Sequence, residues 1–227
     1  MKYDWILFDA DGTIFDYDRA EADALQCTFA QHGCPFELKY IEIYRTINAK
    51  LWRGLELAQI TPGEIKVQRF RLLFQELGLD ADSALFGAHY LHHLGEQGHL
   101  ISGAGAVIRH LHGKVGLALI TNGLHDVQRR RLARSSLEPY FAPVIISEEV
   151  GAAKPDGRIF DVAFQQMGQP AKQAVLMVGD SLTSDMLGGV RYGLDTCWFN
   201  PARRAGDPAI PVTYEIADLG DLLKMVA

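Results

Sequence analysis

Six short apolar runs punctuate the chain: Trp5 to Phe8, Val115 to Ile120, Val144 to Ile146, Val175 to Val178, Thr196 to Phe199 and, more weakly patterned, Val212 to Ile216. Several are continuous rather than alternating. A strand with one wet face alternates polar and apolar residues, so continuous runs predict strands covered on both faces. Between them the spacing predicts helices over Ala104 to His112, His125 to Ser135, Gly157 to Met167 and Ser184 to Tyr192. Strand and helix thus alternate from about residue 100 onward, which predicts an α/β fold with a doubly wound, Rossmann-like parallel sheet as its core.

The interval behind the first strand is different. Tyr40, Tyr44, Ile47 and Leu51 recur at helical spacing, and breaks follow at Thr61-Pro62-Gly63 and Gly78. The expected organisation is a core of residues 1–15 and 99–227 with an inserted helical cap over 16–98. Open α/β sheets bind ligands beyond the carboxyl ends of their strands, and an insertion leaving the first strand there would act as a lid.

Composition narrows the classes. The 227 residues include 22 Lys and Arg against 28 Asp and Glu, a net charge of −6, so no overall positive field gathers nucleic acid polymers or anionic membranes. No apolar run approaches the roughly 20 residues that span a bilayer, and the start, MKYDWILFDAD, puts acids behind too short an apolar segment for a signal peptide. The expectation is a cytoplasmic protein, a monomer or a weak dimer. Cys27, Cys34 and Cys197 lack disulfide or zinc spacing and read as reduced, structural residues.

The candidate chemistry falls where strands end. Asp9-x-Asp11-Gly12-Thr13 closes the first apolar run, Thr121-Asn122-Gly123 the second, Lys154 follows the third, and Gly179-Asp180-Ser181-x-x-x-Asp185 closes the fourth. Strand ends of one parallel sheet converge on one crevice. Asp9 and Asp11 leave a strand on the same side and repel one another unless something offsets their charge. Several carboxylates, one ammonium, one hydroxyl and loop amides suit a hard divalent cation such as Mg²⁺, which takes carboxylates, waters and phosphate oxygens. In that setting Asp9 is a candidate nucleophile forming an aspartyl phosphate, while Thr121 and Lys154 hold phosphoryl oxygens. Asp11 donates a proton to the leaving oxygen only if it is protonated near neutral pH, which desolvation favours and a metal opposes.

Other groups carry plainer readings. Arg129, Arg130, Arg131 and Arg134 read as a solvated helix face, and His89 and His93, at i, i+4 spacing without a third ligand, as an exposed face of the cap. Phe15, Tyr17, Trp52 and Arg53 are candidate contacts for the part of a substrate beyond its phosphate.

The four motifs, intact and in order, resemble those of the haloacid dehalogenase superfamily: D-x-D-x-T, a Ser or Thr, a Lys, and an acidic G-D-x-x-x-x-D. The stretches DWILFDADGTIFD, LWRGLELAQITPGEIKVQRF, LITNGLHDVQRRRL, VIISEEVGAAKPDGRIFD and VLMVGDSLTSDMLGGVRYGLDTCWFN further resemble the YjjG-type pyrimidine 5′-nucleotidases. That subgroup often carries Glu where this chain has Gly12, which instead matches the wider superfamily's D-x-D-G-T. The resemblance implies that Asp9 is nucleophile and Mg²⁺ ligand, and Asp11 general acid/base and ligand through its carbonyl. Asp180 would be a further ligand and Asp185 a support of the metal site. Thr121, helped by the Asn122 amide, would bind phosphate, and Lys154 would orient Asp9 and bind the phosphoryl group. Dehalogenases usually lack the second Asp, so Asp11 favours phosphoryl transfer, and Thr13 resembles the phosphatases more than the sugar phosphomutases.

The function so implied is a Mg²⁺-dependent phosphomonoesterase acting on a small phosphate monoester, foremost a pyrimidine nucleoside 5′-monophosphate. The alternative is a phosphatase for a sugar or small organic acid phosphate, such as phosphoglycolate or N-acylneuraminate 9-phosphate. A binding module that kept the fold and lost the chemistry would show an eroded motif, and none is eroded.

Overall fold

A computed structural model of the chain describes residues 2–57 and 59–226. They form two compact units, one of Met1–Tyr17, His99–His125 and Ser135–Ala227, the other of Asp18–Gly98 and Asp126–Arg134.

The first unit is built on six strands: β1 (Trp5–Phe8), β2 (Gly116–Thr121), β3 (Val144–Ile146), β4 (Val175–Gly179), β5 (Asp195–Phe199) and β6 (Tyr214–Ile216). They form one sheet in the order β3-β2-β1-β4-β5-β6, and every neighbouring pair is parallel. The six apolar runs are therefore the six strands, and the doubly wound α/β core is as the patterning predicts. Alternate residues face opposite ways, yet Ile6, Leu7 and Phe8 are all fully buried, as are Leu176, Met177 and Val178. Leu7, Ala118, Ile120 and Met177 pack with Ile159, Phe160, Ala163 and Phe164 of the helix Gly157–Gln166. Each of the larger side chains gains about 1.5–3 kcal/mol by leaving water, which holds the central strands rigid beneath the loops they carry.

Helices in chain order are α1 (Tyr17–Gln31), α2 (Lys39–Glu56), α3 (Pro62–Leu77), α4 (Ser83–Gly95), α5 (Ala104–Leu111), α6 (His125–Arg134), α7 (Ser147–Val150), α8 (Gly157–Gln166), α9 (Leu187–Tyr192) and α10 (Leu222–Val226). The helix expected over Ser184 to Tyr192 begins instead with a π turn, Leu182–Met186, in which the Asp185 and Met186 N–H groups both donate to the Ser181 carbonyl at 3.1 Å. None of the described helices is long and apolar enough to cross a membrane.

In the second unit α1 to α4 enclose an aromatic cluster. Phe29, Tyr44, Phe70, Phe86 and Tyr90 are fully buried, and Phe70 lies 5.0 Å from both Phe86 and Tyr90, ring centre to ring centre. α3 starts with the Thr61-Pro62-Gly63-Glu64 signal in full: Thr61 Oγ1 accepts from the Glu64 N–H, and Glu64 Oε2 accepts from the Thr61 N–H.

Two polar groups differ from their expected solvated faces. Arg131 is fully buried and its Nε donates to the Gln97 carbonyl at 3.1 Å, while Arg130 reaches His92 and Arg134 pairs with Glu96. Arg131 alone turns inward on α6, which groups with α4; Arg130 and Arg134 stay exposed, as the solvated face predicts, and Arg129 is half-buried. His89 Nδ1 lies 2.9 Å from His32 Nε2, and His93 Nε2 lies 2.7 Å from Gln31 Oε1. Both histidines are half-buried and tie α4 to the end of α1, a neighbour their own helical spacing does not reveal.

Candidate active site

Parallel pairing sets the site before any side chain is considered. Phe8 stands opposite both Leu119 and Val178, so the residues that follow β1, β2 and β4 emerge side by side at the spacing of hydrogen-bonded strands, about 4.8 Å. Asp9 keeps the strand direction, its N–H donating to the Val178 carbonyl at 2.8 Å. The chain then folds back: Ile14 and Phe15 both donate to the Ala10 carbonyl at 2.8 Å, and Gly12 donates to the Phe15 carbonyl at 2.9 Å. Gly12 has φ +82°, and a Cβ there would lie 2.7 Å from the Asp180 carboxylate carbon. It is glycine for the turn and for the approach of the β4 loop.

Lys154 is the buried centre of the charge cluster. Its Nζ donates to Asp9 Oδ1 at 2.5 Å and to the Ile120 carbonyl at 2.8 Å, and lies 2.7 Å from Asp185 Oδ1. The π turn aims Asp185 inward, where its Oδ2 accepts from the Ser181 N–H at 3.0 Å. Any side chain on Gly179 would overlap that carboxylate. Asp180 completes the group: Asp9, Asp180 and Asp185 each present an oxygen, all within 4.8 Å of one another. Trp198 Nε1 and Arg204 Nη2 both donate to the Asp180 carbonyl, at 2.9 and 3.1 Å.

The charges do not balance. Burial first, and Asp185 second, push the Asp9 carboxyl well above the ordinary carboxylate range, with Lys154 opposing them. The same two causes push Asp180 up to about 7. Burial works against the Lys154 ammonium, but Asp185 and then Asp9 outweigh it and hold the group above its ordinary value. Three converging carboxylates share one buried ammonium, and hard oxygen donors short of positive charge fit a divalent cation of the Mg²⁺ type.

The β2 and β3 loops are tied side chain to main chain. Asn122 Oδ1 accepts from the Lys154 N–H at 2.7 Å, and Asn122 Nδ2 donates to the Lys154 carbonyl at 2.9 Å. Ser147 Oγ accepts from the Gly123 N–H at 3.0 Å and donates to its carbonyl at 3.3 Å, and Glu148 Oε2 accepts from the His125 N–H at 2.7 Å. Thr121 is buried, and its hydroxyl has no hydrogen bond among the described residues.

Asp9, Asp180, Asp185 and Lys154 therefore meet in one cluster, with Asn122 bonded to Lys154, Thr121 at the end of β2, and Asp11, half-buried, in the turn behind Asp9. Of the candidate substrate contacts, Phe15 is fully buried and its backbone bridges to Asp11 and Leu100, and Tyr17 is half-buried at the start of α1. Trp52, half-buried, and Arg53, paired with Glu56 at 2.9 Å, belong to α2 of the second unit. Residue reading did not find Ser147, Trp198 or Arg204. Trp198 and Ser147 fall in stretches quoted for the family resemblance, but nothing in their spacing marks a role, and Arg204 lies in the loop behind β5 with no signal of its own.

A family model of haloacid dehalogenase-like hydrolases matches residues 3–193. The chain is 39% identical to the HAD-hydrolase YfnB of Bacillus subtilis, covering 99% of this chain and 96% of that protein. The crystal structure of YfnB bound to magnesium superposes with a TM-score of 0.94 at 38% identity, over 100% of this chain and 99% of that one. The pyrimidine 5′-nucleotidase PynA of Streptococcus pneumoniae is 37% identical over 98% of this chain and 94% of its own. The pyrimidine 5′-nucleotidase YjjG of Escherichia coli is 34% identical over 100% and 99%.

Proposed function

The chain belongs to the haloacid dehalogenase-like hydrolases, and from that premise and the site geometry we propose that it hydrolyses phosphate monoesters through an aspartyl phosphate on Asp9. The carrying observation is the state of the Asp9 carboxylate. Oδ1 is held by Lys154, while Oδ2 has no hydrogen-bond partner among the described residues and is the oxygen left to attack phosphorus. As Oδ2 bonds to phosphorus, the ester oxygen departs and takes a proton from Asp11. Asp11 then removes a proton from the water that hydrolyses the aspartyl phosphate, so the carboxylate and the acid are both regenerated. Lys154, the Thr121 hydroxyl and the Asn122 N–H are the donors for the phosphoryl oxygens. A divalent cation, Mg²⁺ in this reading, would be held by Asp9, Asp180 and the Asp11 carbonyl, with Asp185 in support, and supplies charge stabilisation to those oxygens.

The substrate class we infer is the pyrimidine nucleoside 5′-monophosphates, supported by two full-length relatives named as pyrimidine 5′-nucleotidases. Trp52, Arg53 and Tyr17 are the residues we assign to the nucleoside, and Phe15 to packing behind the Asp11 turn. The test is release of inorganic phosphate from UMP, dUMP, dTMP, AMP, GMP and phosphoglycolate, with Mg²⁺ and with EDTA. Turnover of the pyrimidine nucleotides well above the others, lost in EDTA and in Asp9→Asn, is expected. Preference for phosphoglycolate removes the substrate class, and full activity in Asp9→Asn removes the covalent route.

A further inference from the structure

The side chain of Asn122 makes two hydrogen bonds, and both go to the main chain of one residue, Lys154. Among the described residues these are also the only hydrogen bonds that the Lys154 main chain makes. Lys154 lies in the stretch 151–156 between α7 and α8, outside any regular element, so no helix or ladder fixes its Cα. From that point its flexible side chain has to bring Nζ within 2.5 to 2.8 Å of Asp9 Oδ1, Asp185 Oδ1 and the Ile120 carbonyl. The rigid point nearest in sequence to Asn122 is β2, whose last residue is Thr121.

We propose that Asn122 is a positioning residue for Lys154. Its side-chain amide copies a peptide edge, one acceptor and one donor, and so docks the Lys154 backbone on the end of β2 as a neighbouring strand would. The amide oxygen and one of its two N–H donors are used in this docking, and the Asn122 main-chain N–H is the donor we assign to a phosphoryl oxygen. Ser147 repeats the arrangement one residue along, its hydroxyl bonding both the N–H and the carbonyl of Gly123, so the two loops are joined at two points. The consequence for catalysis rests on the phosphoryl-transfer reading: displacement of Lys154 by a fraction of an ångström would weaken its hold on Asp9 and the transferred group.

The test pairs turnover with amide hydrogen exchange. In Asn122→Ala the Lys154 amide loses protection, kcat on the best phosphate ester falls about 10- to 100-fold, the range for groups that orient a reacting residue, and KM changes little. Asn122→Asp keeps the acceptor but sets a second oxygen against the Lys154 carbonyl, and fails to restore kcat. In a Lys154→Ala background Asn122→Ala costs nothing further. A loss that persists undiminished in that background, or unchanged exchange and kcat in the single variant, overturns the proposal. If Lys154→Ala does not fold, the single variant decides. Exchange needs no turnover: protection lost at Lys154 while no phosphate ester is hydrolysed upholds the docking and overturns only the reaction assigned above.

Discussion

A Cβ at position 12 would have to adopt φ +82° and would meet the Asp180 carboxylate carbon at 2.7 Å. Gly12→Ala therefore costs about 1–2 kcal/mol from the left-handed backbone alone, and it displaces a carboxylate of the candidate metal site. The expected result is lower stability in urea together with weaker Mg²⁺ binding by calorimetry; tight binding at lower stability would show that Asp180 has room to yield. The acidic pair of D-x-D-G-T directly behind an apolar run was legible in the sequence. The contact with Asp180 was not, since it depends on β4 lying beside β1. The same division runs through the site. Asp9 and Asp180 could be found because each stands where a strand has just ended, and Lys154 because it is the lysine that follows the third apolar run. Asn122 and Ser147 could not be given their structural bonds, because a side chain that docks on another loop's main chain leaves no spacing to read.

Thr61-Pro62-Gly63 reads in the sequence as a break, and at the level of elements it is the start of α3, closed by the reciprocal Thr61 and Glu64 bonds. Thr61→Ala removes the acceptor for the Glu64 N–H and is expected to cost about 1 kcal/mol, seen as faster hydrogen exchange in α3. Exchange unchanged over the first turn would mean that packing of Ile65 and Phe70 alone holds that helix end. Caps of this kind are legible because they are made within four residues. The π turn over Leu182–Met186 is the opposite case: helical periodicity alone extends the helix through it, and only the pull of Lys154 on Asp185 and the Ser181 cap explain the widened turn. His89 and His93 show the same limit, their helix correctly placed and their partners, His32 and Gln31, supplied by α1.

For the molecule as a whole, the converging carboxylates add a component of stability that falls as pH rises, opposed by His32 and His93, which burial holds below the ordinary imidazole value. The Asp180 carboxyl moves from an ordinary value of 3.8 to about 7 on folding, mainly through burial, and Asp9 moves the same way. The folded chain thus holds these protons more tightly than the unfolded chain. The resulting stabilisation is complete below pH about 4 and is lost as pH rises through about 7. In EDTA the thermal midpoint is expected to fall between pH 5 and 8. Saturating Mg²⁺ should raise it most at the upper end, where no proton competes with the cation. A metal-free midpoint that climbs over that interval would contradict the assignment. The parallel sheet and both its buried faces were legible from continuous apolar runs, whereas the strand order and the grouping of α6 with α4 were not, because Arg131 is the one buried member of an otherwise wet arginine run. That grouping bears on dissection of the molecule. Deleting the helical insertion at its sequence limits would remove Gln97, Glu96 and His92, and with them the carbonyl to which Arg131, now wholly covered, donates. A minimal catalytic core made from this chain would need α6 recoded along with the cut, so what is one contiguous insertion to the ribosome is two separate segments to the protein engineer.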